Sequence, residues 1–240
     1  MASDTHLVLI PSYNTGHRLA ETVAQALRRW QPVWVVIDGS TDGSDAELPH
    51  GDGLRIIRRA RNGGKGAAVL DGLRLASASG FSHVLVMDAD GQHSADEIGN
   101  FMEISQQNPA AMILGVPIFD AAAPRIRVLG RLISNVLVRL ETAQPIGDTL
   151  FGFRVYPVAD LFTVMAASRF MRRYDFDTEA VVRLCWRGVK PINRAAPVRY
   201  FTKDQGSISH FRYGRDNLQL AAMHLRLFAE RLFGVKPKRQ

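Results

Sequence analysis

The chain has 240 residues and a mass of 26.6 kDa, with 30 Lys and Arg against 23 Asp and Glu for a formal net charge of +7. Hydrophobic residues make up 46% and charged residues 22%, a balance that excludes disorder as the main state and supports a core without staples. The single cysteine, Cys185, excludes a disulfide framework and a cysteine-built zinc site. No apolar run of spanning length and no secretory leader is visible, so a cytoplasmic location is expected.

The apolar patterning predicts strands alternating with helices. Residues 6–10 form a β-branched and leucine-rich strand ended by Pro11, and residues 16–30 carry helical spacing at Leu19, Val23, Ala26 and Leu27. Residues 33–37 predict a second buried strand and 54–57 a short third. A helix over 66–78 precedes a fourth strand at 83–87. Ser94-Ala95-Asp96-Glu97 has the form of a capping box and places a helix over about 95–107. A fifth strand follows at 111–116. Further on, 125–140 reads as helical, 149–156 as extended, 177–186 as helical and 198–201 as extended. Residues 216–233 form a last amphipathic helix, and Lys236-Pro237-Lys238-Arg239 a basic tail. Short strands separated by helices predict βαβ units, that is, an α/β fold with a mostly parallel sheet covered on both faces. With no linker in sight, we expect one domain over residues 1–210 and a C-terminal amphipathic helix and tail over 211–240.

Ligands of an open α/β sheet bind beyond the carboxyl ends of its strands. The first four strands are each followed by a polar or glycine-rich loop: Pro11-Ser12-Tyr13-Asn14, Asp38-Gly39-Ser40-Thr41-Asp42-Gly43-Ser44, Asn62-Gly63-Gly64-Lys65-Gly66 and Asp88-Ala89-Asp90-Gly91-Gln92-His93. In an extended segment residues i and i+2 point the same way, so Asp88 and Asp90 converge. Converging carboxylates repel unless a cation lies beside them, and Mg²⁺ and Mn²⁺ take oxygen ligands, to which Gln92 adds a carbonyl. The same pair can instead cap the loop and helix that follow. The Asp38 loop suits the donor groups of a nucleobase or ribose; a surface turn accounts for Asp42–Ser44 more readily than for Asp38, which sits at the strand end. Asn62–Gly66 lacks P-loop spacing, so Lys65 is a nucleotide counter-charge or the glycines simply open a helix.

Taken in order, these four loops resemble the signatures of family 2 glycosyltransferases, most of all the dolichyl- and polyprenyl-phosphate sugar synthases. Asp148-Thr149-Leu150-Phe151-Gly152-Phe153-Arg154, Asp175-Phe176-Asp177-Thr178-Glu179 and Pro197-Val198-Arg199-Tyr200 are similar to later motifs of that branch. The resemblance covers nearly the whole chain. It implies a GT-A fold, with a Rossmann-like sheet, and inverting transfer from a UDP- or GDP-sugar. It places Asp88, Asp90 and Gln92 on Mg²⁺ or Mn²⁺ and the diphosphate. It places Pro11, Tyr13, Asn14, Asp38, Lys65 and Asp88 around the nucleotide. For an acceptor phosphate it points to Arg131 and Arg154, then Arg125 and Arg212. An acceptor phosphate is already a nucleophile; an acceptor hydroxyl needs a base, for which Asp148 is the candidate alongside a capping role.

Three features depart from the branch. Ile37-Asp38 stands where two aspartates are usual. Spanning helices are missing, and Gly115-Val116-Pro117-Ile118-Phe119-Asp120 replaces a richer Gly/Arg loop. In these respects the chain looks more like the short glycosyltransferases of bacterial aryl-polyene pigment clusters, which implies a lipid-like or polyene acceptor. The last helix, with Leu218, Leu225, Phe228 and Phe233 among Arg215, Arg226 and Arg231, suits peripheral contact with an anionic membrane at its cytoplasmic face, or simple core packing. His210 can reach a diphosphate or serve structure, and Tyr174 and Trp186 line an acceptor site or the core. A nucleotidyltransferase would carry a Gly/Arg/Lys signature after the first strand. A nucleotide-sugar-binding protein without turnover would keep the fold. The scattered charge argues against a nucleic-acid partner.

Overall fold

The computed structural model describes residues 1–119, 125–199, 201 and 213–234. Its elements in chain order are β1 His6–Ser12, α1 Arg18–Arg29, β2 Val33–Asp38, β3 Leu54–Arg59, α2 Lys65–Ala78, β4 His83–Val86, a short 3₁₀ turn Ala95–Glu97, α3 Ile98–Gln107, β5 Ala111–Ile118, α4 Arg125–Thr142, β6 Arg154–Pro157, α5 Val158–Ala166, α6 Asp175–Trp186, β7 Lys190–Pro197 and α7 Tyr213–Leu232.

The strands form one seven-stranded sheet in the order β3-β2-β1-β4-β6-β5-β7. Every neighbouring pair is parallel except those of β6, which runs antiparallel to both β4 and β5. The central strands β1, β2 and β4 are buried along their whole length. This is why they read as unbroken apolar runs rather than alternating ones. Alternation shows instead in where they pack: Leu7 and Leu9 meet α2, α5 and α6 on one face, while Val8 and Ile10 meet α1 and α3 on the other.

The structure changes four sequence expectations. The extended stretch of 149–156 yields a strand only from Arg154; the residues before it form a loop. Val158–Ala166 is a helix that the apolar patterning does not predict, and it covers the sheet beside α2. The last strand lies at Lys190–Pro197, ahead of the expected 198–201, where only Val198 bridges to His93. Its sequence, Lys-Pro-Ile-Asn-Arg-Ala-Ala-Pro, has the prolines and charges of an edge strand, which hide it from a hydrophobic pattern. Ser94 makes no side-chain cap, and Glu97 accepts instead from Asn100 at 3.1 Å.

The C-terminal helix α7 lies on α4 and α6. It buries Met223 and Leu227, and Arg226 reaches the fully buried Glu179 at 2.6 Å. Its other face is bare: Leu218 and Leu225 are each 73% exposed. The outer face of α4 is similarly bare at Leu132, Ile133, Val136 and Leu140. No helix among the described residues is long and apolar enough to cross a membrane.

Candidate active site

The parallel strands deliver their carboxyl ends to one edge, and a cavity of about 1090 Å³ opens there. Because β6 is reversed, it brings the loop before it, not after it, to the same edge. The loops after β1 and β2 are sewn together. Asn14, at φ 46°, accepts the Thr41 N–H on Oδ1 at 2.8 Å and donates its own N–H to Ser40. The Gly16 N–H donates to Asp42 at 2.9 Å. Asp38, at the end of β2 and 2% exposed, accepts the backbone N–H groups of Gly63 and Gly64 at 3.0 and 2.7 Å and also pairs with Arg59. One carboxylate thus sets the β3–α2 loop. Gly64 has a positive φ of 98°, and a Cβ there would meet the Arg172 carbonyl at 2.5 Å, so glycine is required.

Behind this loop lies a dense charge cluster. The Lys65 ammonium is 2.8 Å from Asp177 and 2.6 Å from Asp88. Burial opposes its charge, but these two carboxylates outweigh burial and raise its pKa. Burial likewise works against charge on Asp88, and Lys65 holds that carboxyl below the usual range. Asp90 has the opposite fate: burial, then the neighbouring charge of Asp88, pushes it up to about 7. His93 accepts the Asp88 N–H on Nδ1 at 3.1 Å, so its proton sits on Nε2, which lies 3.7 Å from the Asp88 carboxylate. Burial pushes the His93 pKa down to about 4, so the ring is neutral. Phe151 packs edge-on against the ring at 4.7 Å.

The opposite wall comes from the 147–153 loop, α4 and α7. Asp148 Oδ1 accepts from Arg131 at 2.7 Å and from the N–H groups of Leu150 and Phe151 at 2.9 and 2.6 Å. Deeper in, Glu141 of α4 meets His224 of α7 at 2.8 Å, and His224 faces Ser134 at 3.4 Å. Ser134 contacts Thr149 at 3.0 Å, and Asn135 accepts the Thr149 N–H at 2.9 Å. One buried polar chain therefore fastens both helices to the loop beside Asp88.

Most expected residues do converge. Pro11, Tyr13, Asp38, Lys65, Asp88, Asp90, Gln92 and Arg131 line the one cavity. Others sit elsewhere. The Asn14 amide joins two loops rather than lining the cavity. Asp148 is buried behind Arg131. Arg154, 1% exposed, lies between β4 and β5, opposite Val86 and Leu114. It donates to the Tyr156 hydroxyl at 3.1 Å and to the Asp177 carbonyl. The structure therefore corrects it from a surface phosphate contact to a charge buried beneath the Lys65 cluster. Its side chain points to the sheet face that α6 covers, where it meets Tyr156 and the Asp177 carbonyl, and so does not reach solvent. Arg125 begins α4, but its side chain is outside the described residues, as are Arg212, His210 and the basic tail. Trp186 donates to the Glu141 carbonyl at 2.9 Å and packs on the core. Tyr174 lines the cavity. The reading of site residues missed Asp177, His93, Ser134 and His224. Asp177 and His93 stand inside quoted motifs and could have been found; the other two carry no local signal.

A family model described as Glycosyl transferase family 2 matches residues 7–173. A polyprenol monophosphomannose synthase of Mycolicibacterium smegmatis is 26% identical over 76% of this chain and 71% of its own length. An undecaprenyl-phosphate mannosyltransferase of Micrococcus luteus is 23% identical over 83% of this chain and 85% of its own. Among solved structures, glucosyl-3-phosphoglycerate synthase of Mycobacterium tuberculosis matches with a TM-score of 0.64 at 16% identity, covering 93% of this chain and 79% of that one. A second structure of that enzyme, holding Mn²⁺, UDP and glucosyl-3-phosphoglycerate, has a TM-score of 0.60 at 17% identity, covering 98% and 81%. At that identity the likeness speaks for the fold, which is the GT-A architecture expected from the sequence.

Proposed function

The chain belongs to glycosyl transferase family 2, and from that premise we propose that it moves a sugar, with inversion, from a nucleoside-diphosphate sugar to a lipid-like acceptor with the help of a divalent cation. The observation that carries the donor half is the pair Asp88 and Asp90 at the end of β4, inside the cavity that the nucleotide loops also line. The pair fits a hard cation. Asp90 is pushed up to about 7 by burial and by Asp88, and a nearby positive ion relieves that repulsion. Among the described residues no group of three or more His, Cys, Asp or Glu forms a closed metal site. An open site of two carboxylates and the Gln92 carbonyl suits Mg²⁺ or Mn²⁺, which take their remaining ligands from phosphate oxygens and water. Bound there, the cation supplies charge neutralisation to the leaving diphosphate.

The chain's own residues do the rest. Pro11 and Tyr13 flank the nucleoside, and Asp38 fixes the glycine loop that frames it. Lys65 presents positive charge to the diphosphate. His93 orients Asp88 through the backbone and ring contacts described above. On the acceptor side Arg131 is the cation at the cavity wall, held by Asp148. Three donors already converge on one oxygen of Asp148, which suits a positioning role more than proton abstraction. An acceptor that is already an oxyanion needs no base, so a lipid phosphate is the favoured acceptor, in keeping with the polyprenyl-phosphate relatives. The bare apolar faces of α4 and α7, with arginines beside them, suit peripheral contact with an anionic leaflet.

Calorimetry with UDP, GDP and their sugar conjugates, in Mn²⁺, Mg²⁺ or EDTA, tests the donor half. Metal-dependent binding of one nucleotide, lost in Asp90→Asn, is expected. Binding indifferent to EDTA and to that substitution would sink the metal-assisted reading. Transfer to polyprenyl phosphate but not to a neutral polyprenol tests the acceptor half, and the reverse preference returns the base role to Asp148.

A further inference from the structure

The Lys65 ammonium does more than face the cavity: it sits on one of the two carboxylates assigned to the cation. Its Nζ is 2.6 Å from Asp88 Oδ1, and 2.9 and 2.8 Å from the two oxygens of Asp177. The cluster is shielded, with the Lys65 and Asp177 side chains 11% and 8% exposed. It is also roofed: a Cβ on Gly152 would lie 2.6 Å from Nζ and 2.5 Å from Asp88 Oδ2. Only a glycine lets the 147–153 backbone close this tightly over the pair. The second oxygen of Asp88 faces the Nε2–H of His93. Lys65 is therefore the donor in contact with Asp88, His93 standing off at 3.7 Å, and a divalent cation that joins this partly exposed carboxylate meets the ammonium at close range. The ammonium is the donor in direct contact, and like charges at such separations in a shielded site repel by several kcal/mol at an effective dielectric of about 20.

An ordinary structural ion pair needs only Asp177, which offers both oxygens to Lys65 already. The added contact with Asp88 is what couples the pair to the cation site. Asp177 anchors the lysine from α6, so Lys65 can leave Asp88 without leaving the cavity. A diphosphate lying over the end of β4 offers the released ammonium a new anionic partner.

We propose that Lys65 is the resident counter-ion of the cation site: it holds Asp88 until a donor diphosphate draws it away, with Asp177 as its pivot, so that cation and donor load together and not singly. The inference rests on the metal-assisted reading above. It assigns Asp177 a positioning role and makes the free protein a poor binder of the metal alone.

The test is Mn²⁺ binding to the full chain, followed by electron paramagnetic resonance of the free ion, with and without UDP or GDP. Lys65→Met alone leaves the buried Asp177 carboxylate uncompensated beside Asp88 and can unfold the chain, so the informative variant is Lys65→Met with Asp177→Asn, which removes both charges. This double variant is expected to bind Mn²⁺ without nucleotide at least about 10-fold more tightly than wild type. The gain in Mn²⁺ affinity on adding nucleotide should shrink correspondingly. Asp177→Asn alone leaves the ammonium to Asp88 and should weaken Mn²⁺ binding. A purely structural pair predicts no tightening in any variant. If wild type binds Mn²⁺ with nucleotide but the folded double variant binds Mn²⁺ alone no more tightly than wild type does, the counter-ion role is overturned. If wild type binds no Mn²⁺ with either nucleotide, the metal-assisted reading fails, and this inference with it.

Discussion

On the sheet side of the cavity, carboxylates are matched to backbone: Asp38 holds two consecutive N–H groups, Asp42 holds Gly16, and Asn14 ties one loop to the next. On the helix side, Asp148 holds two backbone N–H groups as well, but the link between the helices and the loop runs from side chain to side chain through Glu141, His224, Ser134, Thr149 and Asn135. The first kind of wall is fixed by residues within a few positions of a strand end. The second is assembled from positions as far as 90 apart in the chain. The first is rich in charge, and the second adds a few charged residues, Arg131, Arg215 and Asp216, to apolar ones such as Ile133, Leu137 and Leu220. A rigid wall suits a donor with many fixed hydrogen-bonding groups. A wall of two helices with bare outer faces suits an acceptor that arrives with a long apolar tail.

The sharpest way to break this contrast is at the charge pair. We predict that Asp90→Asn lowers transfer by at least about 10³-fold, or ~4 kcal/mol in the barrier, while the thermal midpoint holds, because the substitution relieves repulsion with Asp88. Release of nucleoside diphosphate is the assay, and retention of a tenth of the activity would contradict the assignment. Stability should divide the two walls next. Asp38→Ala strands the N–H groups of Gly63 and Gly64, while Arg59 keeps Asp71, and should cost about 3 kcal/mol. Glu141→Gln keeps an acceptor for His224 and should cost about 1 kcal/mol. Urea unfolding of both variants gives the comparison, and equal losses would mean that the walls are not built differently.

Acid sensitivity is shared between the site, where burial holds His93 neutral down to about 4, and a second place outside both walls. At the far end of β1, His6 stacks on His83 at 4.4 Å and contacts Ser105 at 3.2 Å. Burial first, then His83, pushes His6 down from 6.5 to about 4. The unfolded chain therefore takes up this proton below about 6.5, and the folded chain does so only near 4. Its stabilising effect is complete above that window and is lost as pH falls through it, by roughly 3 kcal/mol. His6→Asn should flatten this part of the stability–pH curve; an unchanged slope would place the sensitivity elsewhere. The smallest expected effect on folding is at the bare helix faces. Leu132→Ser with Leu225→Ser should alter stability by less than about 0.5 kcal/mol yet reduce co-sedimentation with anionic vesicles. Unaltered sedimentation would remove the membrane from the acceptor side.

The sequence displays the sheet side well for the same reason that it is rigid. Strand, loop and ligand-facing residue are contiguous there, so buried runs such as Val-Trp-Val-Val-Ile predict both the element and the position of Asp38 after it. Asp88 and Asp90 follow likewise from a strand end. The role of Asp38 was less visible, since only coordinates show Gly63 and Gly64 turning their N–H groups onto it. Arg154 misled because its motif gives the residue type but not what covers it: its side chain lies on the face of β6 packed under α6, and a guanidinium there is interior. β7 escaped because an edge strand is polar and proline-bearing by construction. Ser134 and His224 stand in amphipathic helices where nothing local separates them from ordinary interior polar residues.

The reversed strand also bears on how the chain comes to be folded. β4 and β5 follow one another in sequence but never touch in the sheet order, since β6 lies between them. As the chain leaves the ribosome, β3-β2-β1-β4 can assemble as soon as residue 86 has emerged. β5 must then wait, tethered through α3, until Arg154–Pro157 arrives to bridge it. In that interval the free edge of β4 is an open template for strands of other chains. A chain stalled before β6 would carry most of the donor-side loops and half of a sheet, and its hazard would be association with its own copies. Slower synthesis through residues 87–157 would lengthen that exposure, whatever the stability of the finished fold.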